Sequence, residues 1–123
     1  MRELTNIEEF VGKTLVNVNV LDSLDGDKLV FTFDDGSEYE MYHTQDCCES
    51  VYLDEVDGEF SELYGDKILR AYESSDSGEG DSYGGSSTWT FYQIATVNSS
   101  VHMKWFGESN GYYSESVYLY RVA

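Results

Sequence analysis

The sequence of 123 residues contains no proline, only two cysteines and only seven basic residues, against 24 acidic ones. This shortage of Lys and Arg excludes direct nucleic-acid binding, because a surface with a net charge of −17 repels phosphates. It also disfavours docking on an anionic membrane. No apolar run approaches about 18 residues, and no signal-peptide core follows the first methionine. We therefore expect a cytoplasmic protein that is neither secreted nor membrane-spanning.

The two cysteines, Cys47 and Cys48, are adjacent. Consecutive Cα atoms lie about 3.8 Å apart, below the usual disulfide range of about 4.4–6.8 Å. An ordinary structural disulfide within the chain is excluded, which leaves only a strained and rare vicinal one. The absence of a disulfide framework is typical of the reducing cytoplasm.

The apolar content of 41% and the aromatic content of 15% are enough for one hydrophobic core, so residues 1–123 are predicted to form a single domain. Residues 15–20 alternate between apolar and polar side chains, as half-buried strands do. Residues 29–33 and 38–42 flank the turn residues 34–37 and predict a hairpin. Short helices are expected at 5–12 and 59–64. The fold class is α+β and predominantly β, with a twisted antiparallel sheet or partial barrel.

The second half of the chain differs from the first in its polarity. Residues 74–87 are rich in Ser, Gly and acidic residues, and they predict a flexible loop. Residues 88–97, 101–106 and 116–122 then predict three strands. Residues 1–81 hold 22 acidic and 5 basic residues, whereas residues 82–123 hold two of each, so the acidity belongs to one part of the chain.

This acidity has two interpretations. It can act simply as a solubilising surface, since net charge affects solubility more than fold. However, a charge magnitude of about 2–8 is sufficient for solubility, and the excess here costs self-repulsion. A surface of this kind would be attracted to a groove rich in Lys and Arg. Mimicry of nucleic acid, or competition for a nucleic-acid-binding protein, is therefore a hypothesis.

A second feature is the segment from His43 to Glu49, in which His43, Asp46, Cys47 and Cys48 supply donor atoms typical of Zn²⁺ sites. It lacks the second CxxC or HxxxH pair of a standard zinc finger. The alternative is that the cysteines are buried as small apolar residues and that His43 ends a strand.

Evidence for an active site is weak. A Cys–His pair could form a nucleophile and base, but Asp46 and Glu49 oppose formation of the thiolate. The Gly-rich residues 78–85 contain no Lys or Arg, so a phosphate cradle is implausible. We therefore expect no enzymatic activity. Tyr112 and Tyr113, beside the Asn-Gly turn, are candidate interface residues, since Tyr is favoured at interfaces.

Three segments carry a family resemblance: His43 to Tyr52, Trp89 to Tyr92, and Gly107 to Ser114, with the Asp-Cys-Cys-Glu and Ser-Asn-Gly-Tyr-Tyr-Ser runs as the specific parts. The chain resembles, over about residues 10–120, a family of small phage and prophage proteins catalogued as a domain of unknown function. Some members are similar to type II-A anti-CRISPR proteins, which inhibit Cas9. The resemblance implies a non-enzymatic inhibitor that blocks target-DNA loading, and a structural zinc held by His43, Asp46, Cys47 and Cys48.

The leading hypothesis is thus an anti-CRISPR protein that acts by stoichiometric binding to Cas9, or to another basic nucleic-acid-binding protein, in the cytoplasm of a bacterial host. Cas9 holds its heteroduplex in a positively charged channel, which suits an acidic inhibitor. The alternatives are a phage accessory protein that binds another host factor and, less favoured, a metal-dependent enzyme. The candidate partner contacts are Asp54, Glu55, Asp57, Glu59, Glu62, Glu73, Asp76, Glu79 and Asp81, with Tyr112 and Tyr113.

Overall fold

Strands make up most of the secondary structure. The computed structural model describes residues 2–23, 26–44, 49–79, 86–109 and 115–123. Within those ranges the strands are β1 (Glu3–Thr5), β2 (Leu15–Ser23), β3 (Gly26–Phe33), β4 (Glu38–Tyr42), β5 (Ser50–Asp57), β6 (Arg70–Glu79), β7 (Ser86–Ala95), β8 (Ser100–Ser109) and β9 (Tyr118–Arg121).

The strands form two open antiparallel sheets. Sheet one has the order β1-β9-β4-β3-β2, and sheet two has the order β5-β8-β7-β6. The predominantly β, antiparallel class expected from the sequence is therefore confirmed. The last two strands of the chain belong to different sheets. In sheet one β9 lies between β1 and β4, and in sheet two β8 lies between β5 and β7.

The hairpin of β3 and β4 forms where the sequence predicts it. Leu29 pairs with Met41 and Phe31 with Tyr39, which places these four side chains on the buried face of sheet one. Gly36 has a φ of 87°, which L side chains rarely adopt, so glycine suits the turn.

The predicted helices are single 3-10 turns. Residues Ile7–Phe10 and Phe60–Leu63 form them. Asn6 caps the first turn by accepting a hydrogen bond from the Glu8 amide at 2.9 Å. Gly12 follows the first turn and Gly65 follows the second, and both have a positive φ. These glycines end the turns, so neither segment extends into a longer helix.

One hydrophobic core is shared by the two sheets. On the side of sheet one, the fully buried ring of Phe10 lies 5.1, 4.8 and 5.0 Å (centroid to centroid) from the rings of Phe31, Phe33 and Tyr39. On the side of sheet two, the buried residues are Val51, Ala71, Tyr92, Ile94, Val101, Met103 and Trp105. The first 3-10 turn thus brings an aromatic residue between the layers and ties the N-terminus to the core.

The loop predicted at residues 74–87 is shorter than the sequence suggested. β6 continues to Glu79 and β7 begins at Ser86, and the two strands pair in register from Arg70 with Ala95 to Glu79 with Ser86. The prediction was wrong for residues 74–79 and 86–87 because antiparallel pairing satisfies the backbone whatever the side chains. Residues 80–85 lie outside the described ranges.

One edge of sheet one is apolar. β2 is the outermost strand there, and Val16, Val20 and Leu21 are exposed. In the part of the chain that the structure describes, no helix combines the length and the hydropathy needed to cross a bilayer.

Candidate functional site

Seven of the acidic residues proposed as partner contacts have side chains that the structure describes, and all seven are exposed. We call this set the acidic rim; its members are Asp54, Glu55, Asp57, Glu59, Glu62, Glu73 and Asp76. They lie on β5, just beyond it, or on β6, which are the outermost strands of sheet two. Three strand spacings separate β5 from β6, or about 14 Å. The rim therefore borders sheet two on both sides.

The members of the rim do not all face the same way. Glu55, Asp57 and Asp76 occur at register positions that share the outer face of sheet two. Asp54 is the extra residue at an irregularity in β5, between Leu53 and Glu55. Glu59 and Glu62 follow at the second 3-10 turn.

Glu73 has a different neighbour. It pairs with Tyr92, which faces the core. Burial, with Glu73 close by, raises the pKa of the Tyr92 hydroxyl above its ordinary value. Glu73 thus belongs to the inner margin of β6, whereas Asp76 belongs to its outer face.

The ion pairs that Lys and Arg form with acidic side chains in the described ranges are in sheet one and its loops. Arg2 and Lys28 both contact Glu40, at 2.7 and 3.2 Å, and Lys13 contacts Asp35 at 2.8 Å. Although burial opposes ionisation of Glu40, hydrogen bonds from Arg2 and Lys28 hold its pKa below the ordinary value. Within the same ranges no member of the acidic rim forms such a pair, so the rim carries its charge uncompensated.

The outer face of sheet two is aromatic between the two halves of the rim. We call the five rings there the aromatic strip: Tyr52, Tyr72, Trp89, Phe91 and Phe106. Trp89 and Phe106 lie 4.4 Å apart, and Tyr52 and Phe106 lie 5.8 Å apart, between ring centroids. The ammonium of Lys104 lies 4.5 Å from the centroid of Trp89, in cation–π contact. Tyr52 and Tyr72 are exposed and the other three rings are half-buried. Partly exposed rings surrounded by charged residues are typical of protein interfaces.

A groove of about 300 Å³ crosses this face. Two adjacent cross-strand rows line it. One row is Glu55, Lys104, Phe91 and Ser74, and the other is Asp57, His102, Gln93 and Tyr72. Its carboxylates therefore come from β5, and Phe91 lies between them and Tyr72.

His43, the one proposed metal ligand that the structure describes, is buried and held at both ring nitrogens. Nδ1 lies 2.6 Å from the carbonyl oxygen of Ser116, and Nε2 lies 2.8 Å from a carboxylate oxygen of Glu49. A carbonyl oxygen only accepts hydrogen bonds, so Nδ1 carries a proton. Histidine ligands commonly donate one N–H to a carbonyl and coordinate through the other nitrogen. Because Nε2 faces the Glu49 carboxylate, coordination through Nε2 would require that contact to open, with Glu49 as a neighbouring oxygen donor.

The other proposed ligands, Asp46, Cys47 and Cys48, lie outside the described residues, as do Asp81, Tyr112 and Tyr113 and the side chain of Glu79. Across the ranges that are described, no group of three or more His, Cys, Asp or Glu side chains is positioned to hold a metal ion.

A second buried carboxylate lies two residues from the Val117 core position. Glu115 accepts hydrogen bonds from the hydroxyls of Ser86 and Ser109 at one oxygen, and from Thr88 at the other at 2.8 Å. Although burial favours the neutral acid, the three donors hold the pKa of Glu115 below its ordinary value. Gly107 permits the close approach of Glu115 to β8, because a Cβ at position 107 would lie 2.9 Å from the Cβ and carbonyl oxygen of Glu115.

Sequence reasoning missed these contacts and the groove. Glu49 and Glu115 look like solvated acids in the sequence, and only the register of β7 and β8 brings three hydroxyls to Glu115. One pattern in the sequence could have predicted the aromatic outer face that carries the groove. Trp89 and Phe91 alternate with buried Thr90 and Tyr92, and His102, Lys104 and Phe106 alternate with Val101, Met103 and Trp105, so both faces of these strands are rich in large side chains.

Fold and site together define a small acidic protein of two antiparallel sheets with an aromatic, acid-bordered outer face. Residues 8–119 match the family described as a domain of unknown function, DUF7448. The chain belongs to this family. No curated protein and no solved structure matches it.

Proposed function

We propose that this protein is a stoichiometric, non-enzymatic inhibitor that binds a basic nucleic-acid-binding protein and prevents it from loading DNA. Cas9 is the first candidate partner. Phage origin, the H-x-x-D-C-C-E motif as a family mark, and action in the cytoplasm of a bacterial host come with this proposal from the resemblance. The observation that carries it is the acidic rim, which is exposed and without ion pairs in the described ranges.

The physical argument rests on charge and burial together. Uncompensated carboxylates on both borders of sheet two attract a cationic channel over a distance of about a Debye length, 8–10 Å at physiological salt. Each exposed contact contributes little alone, but several of them together set the association rate. The aromatic strip between them offers apolar area of the kind that carries most of the energy in interfaces.

The test is a binding and DNA-loading assay with purified Cas9, with and without guide RNA. We expect a complex that excludes target DNA and dissociates as salt is raised. Four reversals in the rim, Asp54→Lys, Glu55→Lys, Asp57→Lys and Asp76→Lys, should weaken binding at least about tenfold because they place like charges against the channel.

A matched variant separates local from global charge. Glu3→Lys, Glu8→Lys, Asp22→Lys and Asp34→Lys reverse four exposed acids of sheet one and the segments joined to it, with the same change in net charge. We expect this variant to bind within about threefold of the wild type. Equal loss in both variants would contradict a specific surface. Absence of a complex in every loading state would refute the assignment to Cas9.

A structural zinc accompanies this proposal. His43, Asp46, Cys47 and Cys48 would hold it. Because Nδ1 of His43 donates to the Ser116 carbonyl, His43 would coordinate through Nε2, in place of its present contact with Glu49. When bound, such a metal stabilises the fold around the segment between β4 and β5.

A further inference from the structure

The groove on the outer face of sheet two is acidic at one end and aromatic at the other. Glu55 and Asp57 lie on the edge strand β5, and Tyr72 lies on the opposite edge strand β6 with 46% of its surface exposed. Phe91 lies on a central strand between them. The groove thus leads from an aromatic ring to a pair of carboxylates two residues apart, with a second ring between.

The carboxylates lack a cationic partner among the described residues. Neither Glu55 nor Asp57 forms an ion pair there, although Lys104 pairs with Glu55 in the strand register. The ammonium of Lys104 instead lies over the ring of Trp89. The same face therefore already holds one cation against an aromatic ring, and it leaves two negative charges unmatched.

We propose that this groove receives an arginine side chain of the partner, with the guanidinium at Glu55 and Asp57 and the stem against Phe91 and Tyr72. This assignment rests on the proposed function, and it names the group that the surface recognises. Guanidinium binds carboxylates through paired N–H donors and also stacks on aromatic rings, and it sheds water more readily than an ammonium. Lysine meets only the charge requirement. A volume of about 300 Å³ suits one long side chain.

Charge also argues against other occupants. An anionic ligand would meet two carboxylates and a net charge of −17, against which one ammonium is insufficient. A neutral polyol could stack on the rings and hydrogen-bond to Gln93, but it would leave both carboxylates uncompensated. Its binding is therefore an outcome that the experiment must distinguish.

The experiment uses the intact protein and blocked tripeptides, Gly-Arg-Gly, Gly-Lys-Gly and Gly-citrulline-Gly, followed by NMR titration of backbone amides. We expect saturable shifts at β5, β7 and β8 with the arginine peptide, about fivefold weaker binding of the lysine peptide, and no saturation with the neutral citrulline peptide. The pair of substitutions Glu55→Gln and Asp57→Asn should weaken arginine binding at least about fivefold. Asp34→Asn, which removes an exposed charge at the β3–β4 turn, should leave it within twofold.

Lys104 supplies a test of opposite sign. Lys104→Met removes the competing positive charge and should tighten arginine binding by about two- to threefold, whereas weaker binding of arginine would overturn the proposal. Equal affinity for arginine and citrulline, or saturation by glucose or maltotriose alone, would also overturn it. These titrations contain no Cas9. Arginine binding without a Cas9 complex would refute the function proposed above and retain the groove, and a Cas9 complex without arginine binding would do the reverse.

Discussion

Glu115 offers a sharp test of the packing between sheet two and the segment that enters β9. Glu115 is 8% exposed, and its carboxylate accepts hydrogen bonds from three hydroxyls, those of Ser86, Thr88 and Ser109. The substitution Glu115→Gln keeps the shape but removes the charge and one acceptor. Since Thr88 can turn its hydroxyl to accept from the new amide, the contacts persist as neutral ones.

The magnitude follows from the difference between charged and neutral hydrogen bonds. Each of the three hydrogen bonds to residue 115 becomes weaker by about 1 kcal/mol when its acceptor is neutral. An amide costs less to bury than a carboxylate, which offsets part of the total loss. We expect Glu115→Gln to lower the free energy of unfolding by about 2 kcal/mol near pH 7. For a domain of this size that loss shifts the urea midpoint by about 1 M.

The pH dependence fixes the sign. A carboxyl with a folded-state pKa below its unfolded value of 4.5 stabilises the protein fully above that value and loses its contribution as pH falls through the folded pKa. The gap between wild type and Glu115→Gln should therefore be constant from about pH 7 to pH 6 and shrink toward about pH 3.

The assay is urea unfolding followed by tryptophan fluorescence, with Glu108→Gln as the control. Glu108 is an exposed acid on β8, so its substitution removes the same charge and should alter the free energy of unfolding by no more than about 0.5 kcal/mol. Thr88→Val should also cost less in the Glu115→Gln background than alone. If Glu115→Gln and Glu108→Gln unfold alike at pH 7, the buried-carboxylate argument is refuted.

Three further predictions concern the core and the metal. Gly107→Ala places a Cβ 2.9 Å from the backbone oxygen of Glu115 and should cost about 1–3 kcal/mol in urea unfolding; an unchanged midpoint would contradict the close approach. Phe10→Ala empties the space between three rings and should cost about 3–5 kcal/mol, whereas Val97→Ala, at an exposed position, should cost less than about 0.5 kcal/mol. Elemental analysis of protein purified without added zinc should find about one zinc per chain, lost after Cys47→Ser with Cys48→Ser; a ratio near zero in the wild type would exclude the metal.

Local sequence signals predicted local structure well. The β3–β4 hairpin could be predicted because the alternation of apolar side chains and the turn residues around Gly36 act over a few positions. The short helices could be located but not their type, since a 3-10 turn and an α-helical turn use the same cap and stop residues. Residues 74–79 were misassigned because their three serines, one aspartate and one glycine carry little strand propensity, and the pairing of β6 with β7 overrides that preference.

The candidate site was only partly accessible from sequence. The exposure of the acidic rim agrees with the general tendency of carboxylates to stay in water, although the buried Glu49 and Glu115 show that charge alone does not decide exposure. The placement of its members on opposite edges of sheet two depends on the strand order, which no local pattern encodes. The same holds for the contact of Glu115 with its three hydroxyls, because it needs the register of β7 and β8. His43 and Glu49 are only six residues apart, and their contact was missed because nothing in the local sequence marks Glu49 as buried.

The uncharged edge of sheet one has a consequence for the behaviour of the protein in concentrated solution. Residues 15–21 of β2 carry no charge, whereas the edge strands of sheet two carry several acids. The Leu15 carbonyl and the Val18 amide are bonded to Gly65 and to the Tyr64 hydroxyl, so the open part of this edge begins after Val18. Backbone groups on an open edge pair readily with another strand unless charge keeps it away. When acid or high salt removes the mutual repulsion between molecules, aggregation should begin at β2, strand against strand. A single lysine in place of Val20 would then act as a gatekeeper and keep the protein dispersed.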